Sequence, residues 1–389
     1  MRIGLNAFYW GHESIGSGQY IRQLLRALTQ EEGGNEYRLF GLQKPVFSKN
    51  TGFCDGRWTC RALQTPFSSR SENLAKLWFE QVSFPDTCRR APVDLAHVPY
   101  FASPLRPTVP TVVTVHDLIP LLLPAYRGSV LVRLYTSLVA AAARRADAII
   151  TDSLHSKSDI VKHLQVPADR VEVIYLAADP ACRRVTDEHL LTAVRLQYGL
   201  PETYMLYLGG FDQRKNLHML LRAYACAQEA MGDKLPPLVV AGRLPAKETP
   251  LYPDPRRMAA ELGIERSIIF TGWVAEEHKP VLCSGALFFI FLSLYEGFGL
   301  MPLEAISCGT PVLASRTSSL PEIVGSGGLL VDPTDVEQIV NGMLELVRDA
   351  PLREALAKEA LAQADKFHWR QTAAQTLQVY QRVRNSSRH

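Results

Sequence analysis

Short apolar runs alternate with amphipathic helical patterns along the whole chain, in two successive series. A strand that is buried on both faces of a parallel sheet has a continuous apolar sequence, and a helix packed on such a sheet carries an apolar stripe of period 3.6. The segment 20–28 is one predicted helix, with Leu24 and Leu28 on its apolar face. The alternation predicts an α/β protein with parallel sheets.

The two series predict two domains, 1–180 and 181–368. Strands of the first are predicted at 2–6, 37–42, 95–97, 111–115, 148–151 and 171–175. Strands of the second are predicted at 205–209, 238–241, 268–272, 287–292, 310–314 and 328–331. Turn-forming and charged residues at 178–186 mark the boundary. A final helix is predicted from 369 to about 384.

Composition and charge exclude several classes of protein. With 389 residues and 47% hydrophobic content, the chain can bury the cores of two domains. The formal net charge is +3, so no nucleic-acid partner is predicted. No signal peptide precedes the first strand and no apolar run is long enough to cross a bilayer, so we expect a cytoplasmic protein.

The seven cysteines predict neither disulfides nor a metal site. They are scattered without a C-x-x-C pair, and an odd number of thiols at irregular spacing is typical of reduced, buried side chains. Cys54 and Cys60 are closely spaced, but no second pair completes a zinc site. No Asp-x-Asp motif or His/Asp cluster at ligand spacing is present either, so no metal is expected.

The segment from Glu296 to Glu304 carries two carboxylates with seven residues between them. The first follows the apolar run 286–294, which predicts a buried parallel strand, and open α/β sheets bind ligands at the carboxyl ends of such strands. The second lies in a predicted helix with Pro302 near its start, so the free amides of 299–301 would face a ligand. From spacing alone, an exposed loop with incidental acids is an equal alternative.

A basic pair follows the first strand of the second series. That strand ends at Gly209 and Gly210, and Arg214 and Lys215 come just before a predicted helix. Two such cations suit a diphosphate, because arginine offers a bidentate fork and lysine a compact charge. The alternative is a surface pair that caps a turn.

The loop 14–20 contains Gly16 and Gly18 just before the first helix. Glycines there allow backbone N–H groups to approach a phosphate, and a plain tight turn is the alternative. A dinucleotide-binding fingerprint would need a third glycine where Ile21 stands.

His116 and Asp117 directly follow the predicted strand 111–115, and Gly242 ends the strand 238–241. A lone histidine at a strand end is more often structural than catalytic. Asp117 either orients the imidazole ring or begins the following turn.

Glu296 and Glu304 resemble the E-x7-E signature of the retaining glycosyltransferases of family 4, which have the GT-B fold. The following segments are similar as well: EAISCGTPVLAS at 304–315, LPEIV at 320–324 and GLLV at 328–331. LGGFDQRKN at 208–216 resembles the family's G-x-x-x-x-R-K-N motif, with Gly210 where many members have arginine. The resemblance covers nearly the whole chain, most densely at 207–334 and most loosely at 57–94.

The resemblance implies two Rossmann-like α/β domains whose parallel sheets face a central cleft. The N-terminal domain would bind the acceptor, with the C-terminal helix at about 369–389 packed back on it, and the second domain would bind the nucleotide sugar. The implied catalytic residues are His116, Arg214, Lys215 and Glu296. The implied donor-binding residues are Gly16, Gly18, Gly209, Gly210, Gly242, Phe298, Gly299, Leu300 and Glu304.

In the implied mechanism, cationic side chains stabilise the departing diphosphate and replace a metal ion. His116 contacts the donor sugar and Glu296 holds its hydroxyl groups, while Glu304 binds the ribose. The two acids therefore position the donor and do not act as a hydrolytic acid/base pair. The diphosphate accepts the proton of the acceptor in a front-face displacement. The enzyme would be a retaining, metal-independent hexosyltransferase without a cofactor.

The segments GGFDQRKN at 209–216 and VHDL at 115–118 resemble those of bacterial mannosyltransferases of cell-surface polysaccharides. This resemblance implies GDP-mannose as donor and a glycan or lipid-linked acceptor. UDP- and ADP-sugars are alternative donors, and a non-catalytic GT-B partner subunit is the alternative function. A sugar 2-epimerase of the same fold would lack the E-x7-E acids. The basic, aromatic segment 57–90 either binds an anionic acceptor or the membrane surface, which would make the protein peripheral, or is a solvated face over core aromatics.

Overall fold

The structure, a computed structural model, describes residues 1–12, 16–31, 34–43 and 56–386. Residues 14 and 15 of the loop 14–20 and the cysteine at position 54 lie outside the described residues. The chain forms two compact units. We call them the N-terminal unit (Met1–Leu176 and His368–His389) and the C-terminal unit (Ala177–Phe367). The boundary predicted from the sequence, after residue 180, lies slightly later.

The N-terminal unit contains a seven-stranded parallel sheet of order β3-β2-β1-β4-β5-β6-β7. Its strands are β1 Arg2–Asn6, β2 Glu36–Gly41, β3 Trp58–Ala62, β4 Leu95–Val98, β5 Thr111–Thr114, β6 Ala148–Thr151 and β7 Val171–Val173. Its helices are α1 Gly16–Gln30, α2 Glu72–Trp78, α3 Phe84–Arg90, α4 Ile119–Leu122, α5 Val130–Ala143, α6 Leu154–Leu164 and, at the C-terminus, α15 Trp369–Ser386.

The C-terminal unit contains a six-stranded parallel sheet of order β10-β9-β8-β11-β12-β13. Its strands are β8 Met205–Leu208, β9 Leu238–Ala241, β10 Ile268–Gly272, β11 Phe289–Phe291, β12 Val312–Ser315 and β13 Gly328–Val331. Its helices are α7 Glu188–Tyr198, α8 Leu217–Met231, α9 Pro255–Glu261, α10 Lys279–Gly285, α11 Leu300–Ser307, α12 Leu320–Val324, α13 Val336–Arg348 and α14 Ala350–Ala364.

The central strands form because their side chains are apolar on both faces. Every residue of β4, β5, β6, β8, β9, β11 and β12 is buried, as expected for parallel strands covered by helices on both sides. On α1 the predicted stripe is confirmed, since Leu24 and Leu28 are fully buried. Helix α15 packs against α1 within the N-terminal unit.

Each sheet has a point where the strand order reverses. In the N-terminal unit the chain builds outward from β1 in one direction and from β4 in the other; in the C-terminal unit the same holds for β8 and β11. Neighbouring strands whose connections leave in opposite directions open a crevice at their carboxyl ends, where doubly wound sheets bind ligands. The loops after β1, β4, β8 and β11 are therefore the positions from which side chains can reach a ligand.

Strand β3 and helices α2 and α3 lie in the segment 57–90 and were not predicted from the sequence. Trp58 on β3 is buried and stacks on Tyr37 with ring centroids 4.2 Å apart. Phe79 is fully buried, whereas Trp78 is 37% exposed. Core packing thus explains Trp58 and Phe79.

Candidate active site

Arg214, Lys215 and Glu296 meet at the reversal point of the C-terminal sheet. The first two lie in the loop after β8 and the third in the loop after β11, and these strands are neighbours. Arg214 Nη1 is 2.6 Å and Lys215 Nζ is 2.7 Å from the same carboxylate oxygen, Glu296 Oε1. Three of the four predicted catalytic residues therefore form one cluster of direct ion pairs.

The ion pairs keep Glu296 charged although it is buried. Burial raises the pKa of this carboxyl, but the charges of Lys215 and then Arg214 outweigh it, and the pKa falls to about 2. All three side chains are only 12–13% exposed. Asp212 Oδ1 also lies 3.4 Å from Arg214 Nε. Two cations and two carboxylates thus share a poorly hydrated position, and an anion that enters competes with the carboxylates for Arg214 and Lys215.

Backbone contacts fix the loop that carries Glu296. Arg214 Nη1 also donates to the carbonyl of Tyr295 (2.8 Å). The amide of Glu296 donates to Ser318 Oγ (3.0 Å), and Ser319 Oγ donates to the carbonyl of Glu296 (3.0 Å). Both serines lie between β12 and α12. They were not predicted as site residues, because nothing in their spacing shows which loop they contact.

Gly209 and Gly242 let the ends of β8 and β9 approach each other. Gly242 has φ +153°, and a Cβ atom on it would lie 2.2 Å from the carbonyl oxygen of Gly209. Gly210 accepts a hydrogen bond from the hydroxyl of buried Tyr207. Gly242 thus has a clear packing role, whereas a Cβ atom on Gly209 or Gly210 would make only ordinary contacts. The predicted contact of all three glycines with a nucleotide stays a prediction.

Helix α11 begins at Leu300, and Gly299 precedes it with φ +113° and ψ +52°. The first amides of a helix have no acceptor within it, which leaves those of Leu300 and Met301 without a partner inside α11. Pro302 is the third helical residue and has no N–H group. The Phe298 side chain is buried, with its ring 6.1 Å from that of Phe367. Any contact of Phe298 with a ligand would therefore be made by its main chain.

Glu304 lies in the second turn of α11 and has the opposite electrostatic character to Glu296. Burial raises its pKa to about 7; the charge of Lys279 opposes the rise, and Glu276 and Asp179 add to it. The two acids of the motif therefore differ near neutral pH: Glu296 is fully ionised and Glu304 is partly protonated.

In the N-terminal unit, His116 is held by a residue that the sequence analysis missed. His116 Nδ1 is 2.6 Å from Oδ2 of Asp152, which is 1% exposed. The ring of Tyr20 packs edge-on against the imidazole with centroids 4.9 Å apart. Burial lowers the pKa of His116, but the charge and hydrogen bond of Asp152 outweigh it and the pKa is raised.

Asp117 begins the turn after the strand. Its Oδ1 accepts a hydrogen bond from the amide of Ile119 (2.9 Å). The imidazole of His116 forms its hydrogen bond with Asp152 instead. Asp152 directly follows β6, the neighbour of β5. A search for polar residues at the carboxyl end of every predicted strand would have found it.

Gly18 has a packing role in α1. A Cβ atom there would lie 2.1 Å from the carbonyl oxygen of His12 and 2.9 Å from that of Tyr9. Gly16 is the exposed first residue of the helix, with open space around it within the described residues. The close neighbours of Gly18 are carbonyl oxygens, which accept and do not donate; the predicted phosphate contact stays a prediction.

The part of the chain that the structure describes contains neither a metal-binding cluster nor a helix that could span a membrane. Over 1–12, 16–31, 34–43 and 56–386, no three His, Cys, Asp or Glu side chains are grouped so that they could hold a metal ion. In the same part of the chain, no helix combines the length and the apolar character needed to cross a bilayer.

The two doubly wound α/β units are those of the GT-B fold of glycosyltransferases. A sucrose-phosphate synthase from Thermosynechococcus elongatus has a similar structure, with a TM-score of 0.78 at 22% identity over 99% of this chain and 100% of that one. At that identity the likeness shows the fold.

Sequence comparisons then establish the family. A family model for "Glycosyl transferases group 1" matches residues 195–363, and one for "Glycosyltransferase Family 4" matches 15–181. The O-antigen chain mannosyltransferase B of Escherichia coli is 33% identical over 284 residues, which are 73% of each chain. The serotype-specific mannosyltransferase WbdA of Escherichia coli is 32% identical over 280 residues, 71% of this chain and 34% of WbdA. The chain belongs to the group 1 glycosyltransferases.

Proposed function

We propose that this glycosyltransferase moves mannose from GDP-mannose to a glycan or lipid-linked acceptor of a surface polysaccharide, with retention of the anomeric configuration. Two relatives at 32–33% identity are named mannosyltransferases, and one is named for the O-antigen chain. The observation that carries the proposal is the cluster of Arg214, Lys215 and Glu296 at the reversal point of the C-terminal sheet.

Arg214 and Lys215 supply the charge that a diphosphate leaving group needs. A nucleoside diphosphate leaves with about two negative charges, and fixed cations in a poorly hydrated site stabilise that charge without rearranging during the reaction. Both cations contact Glu296 in the ligand-free protein. A bound diphosphate would share them with Glu296, and these side chains would do the work of a metal ion.

Glu296 fits a positioning role better than that of a nucleophile. Its Oε1 is already engaged by both cations, and they hold the pKa of the carboxyl at about 2. A carboxylate of such low basicity is a weak nucleophile, so a covalent glycosyl-enzyme is disfavoured. This supports the front-face route, in which the departing diphosphate takes the proton of the acceptor hydroxyl.

The remaining proposed roles are those that the family resemblance implies. Glu304 would accept hydrogen bonds from ribose hydroxyls, and the free amides at the start of α11 would donate to the donor. His116, fixed by Asp152, would donate to the donor sugar. The acceptor would bind the N-terminal unit, and a lipid-linked acceptor would bring the enzyme to the membrane surface as a peripheral protein.

Isothermal titration calorimetry with GDP, UDP and ADP tests the donor assignment. The proteins are the wild type, Lys215→Ala, Glu304→Ala and, as a matched control, Lys358→Ala, which removes an exposed lysine of α14. We expect the wild type and the control to bind GDP in preference to UDP and ADP. Loss of the Lys215 or Glu304 side chain should weaken GDP binding about tenfold or more.

Each other outcome is informative. Preference for UDP or ADP would retain the glycosyltransferase and replace the donor. Absence of binding to all three nucleotides by a folded wild type would contradict the proposal and favour a non-catalytic GT-B partner subunit. Equal binding by all four proteins would remove Lys215 and Glu304 from the donor site.

A further inference from the structure

Partly exposed aromatic side chains lie at the reversal point of the N-terminal sheet. Phe8 and Tyr9 follow β1, and Tyr100 follows the neighbouring β4. The Tyr9 ring meets Tyr100 at 4.8 Å and 82° and Phe8 at 5.0 Å and 84°, so the rings brace each other edge to face. Tyr100 is buried, whereas Phe8 and Tyr9 are half-buried. The fold thus places a rigid aromatic surface where a doubly wound sheet binds ligands.

The ammonium group of Lys76 on α2 lies over this surface. Lys76 Nζ is 5.2–5.9 Å from the ring centroids of Phe8, Tyr9, Tyr100 and Tyr135. It donates to the hydroxyl of Tyr9 (3.0 Å), its one hydrogen-bond partner among the described residues. An ammonium group has three N–H donors. Because the side chain is still 23% exposed, donors remain for a bound molecule.

Glu80 lies behind the ammonium group and offsets part of its charge. Its carboxyl is fully buried, 3.8 Å from Lys76 Nζ, and accepts a hydrogen bond from Tyr135 (2.8 Å). A ligand cannot reach it, so its role is to hold Lys76 and Tyr135 in place. A single cation with a carboxyl behind it is a poor site for a diphosphate, which needs more positive charge.

We propose that Phe8, Tyr9 and Lys76 form the subsite for a neutral hexopyranose unit of the acceptor. A pyranose ring has an apolar C–H face and polar hydroxyls at its edge, which match an aromatic ring beside a fixed N–H donor. The C–H face packs on Tyr9 and Phe8, and a ring hydroxyl accepts from Lys76. The inference rests on the proposed function only in taking the ligand to be a sugar acceptor.

Steady-state transfer from GDP-mannose to α-linked mannobiose tests the subsite in the full chain. The variants are Lys76→Met, Tyr9→Leu and the milder Tyr9→Phe, which removes only the hydroxyl that contacts Lys76. Trp78→Leu is the control, since it removes an aromatic ring of α2 that is 37% exposed and packs on Phe67, with ring centroids 5.6 Å apart. GDP affinity and circular dichroism report donor binding and folding.

We expect Lys76→Met and Tyr9→Leu to raise the acceptor KM about tenfold or more, and Tyr9→Phe about threefold, with GDP affinity unchanged. Trp78→Leu should leave the KM within about twofold. An unchanged KM in folded Lys76→Met and Tyr9→Leu would overturn the subsite and make the cluster purely structural. Mannose 1-phosphate, used as a competitor of the acceptor at saturating GDP-mannose, should bind no more tightly than mannose; a clear preference that Lys76→Met abolishes would make the site a phosphate site.

Failure of the proposed function has a separate signature. If the wild type binds no nucleotide and transfers nothing, saturation-transfer NMR measures mannobiose binding directly. Binding to the wild type that Lys76→Met loses would support the subsite without the transferase. Equal binding by the two proteins, or none by either, would overturn it.

Discussion

Lys215 Nζ lies 2.7 Å from Glu296 Oε1 and joins the loops that follow two adjacent strands, β8 and β11. Lys215 also lies over the ring of Phe291, 4.8 Å from its centroid, so little water surrounds the pair. Because Arg214 contacts the same oxygen, one carboxylate holds two cations in place before any ligand arrives. In this account the cluster is a preorganised diphosphate site in which Glu296 occupies part of the cations' hydrogen-bonding capacity.

Glu296→Gln should separate binding from catalysis. Without the negative charge, Arg214 and Lys215 are freed for the diphosphate, so GDP affinity should stay equal or increase. The rate constant for transfer should fall about 100-fold, because the donor sugar loses a charged positioning group. Calorimetry and single-turnover kinetics measure the two quantities. A tenfold loss of GDP affinity in the folded variant would contradict a competing role for this carboxylate.

Glu304→Gln should change how stability depends on pH. The pKa of Glu304 in the folded protein, about 7, lies above its ordinary value of 4.5. The contribution of this side chain to the free energy of unfolding is therefore fully present below about pH 4.5 and is lost as the pH rises through 7. Glutamine does not ionise, so the variant should gain about 1–3 kcal/mol of unfolding free energy relative to wild type between pH 5 and pH 8.

Urea unfolding at a series of pH values measures this change. Burial also raises the pKa of Glu80 to about 7. Glu80 remains in the variant, so part of the decline in unfolding free energy with rising pH should persist. An identical pH profile for wild type and Glu304→Gln would show that Glu304 titrates normally.

Gly242→Ala should lower stability by about 2 kcal/mol or more, because the new Cβ would lie 2.2 Å from the carbonyl oxygen of Gly209. Gly263→Ala is the matched control: its φ is +69°, but open space surrounds a Cβ there within the described residues. That change should cost about 1 kcal/mol through backbone strain alone. Thermal and chemical unfolding measure both, and equal losses would refute the close-approach explanation.

Asp152→Asn should lower the pKa of His116, because asparagine removes the charge that raises it. Transfer should fall about tenfold to 100-fold as the imidazole loses its fixed orientation. Asp117→Asn is the control, since Asp117 adds less to the pKa and caps the turn at Ile119. NMR titration of the histidine protons and the pH–rate profile report the effect; a pKa equally sensitive to both changes would contradict the assignment of Asp152.

The sequence predicted the strands best where apolar residues end abruptly. The predicted bounds 148–151 and 238–241 coincide with β6 and β9, since polar or turn-forming residues flank both runs. The run 286–294 is longer than β11, which covers only Phe289–Phe291, because Leu294 already lies in the exposed part of the loop. Strand β3 was missed because WTCRA has a single buried residue, Trp58.

Contacts between distant loops could not be predicted in the same way. The sequence placed Lys215 and Glu296 at strand ends, yet their ion pair depends on β8 and β11 being neighbours, and that strand order is a property of the whole sheet. The same holds for His116 and Asp152 at the ends of β5 and β6. Side-chain chemistry at a strand end can be predicted from sequence, whereas the pairing of two ends requires the topology.

The central claim is retaining transfer of mannose from GDP-mannose, and the anomeric configuration of the product tests it most directly. Wild-type protein with GDP-mannose and α-linked mannobiose should give a trisaccharide whose one-bond C–H coupling at the new anomeric carbon identifies an α-linkage, the configuration of the donor. Lys215→Ala should give little product under the same conditions. A β-linked product, or transfer only from a UDP- or ADP-hexose, would contradict the account.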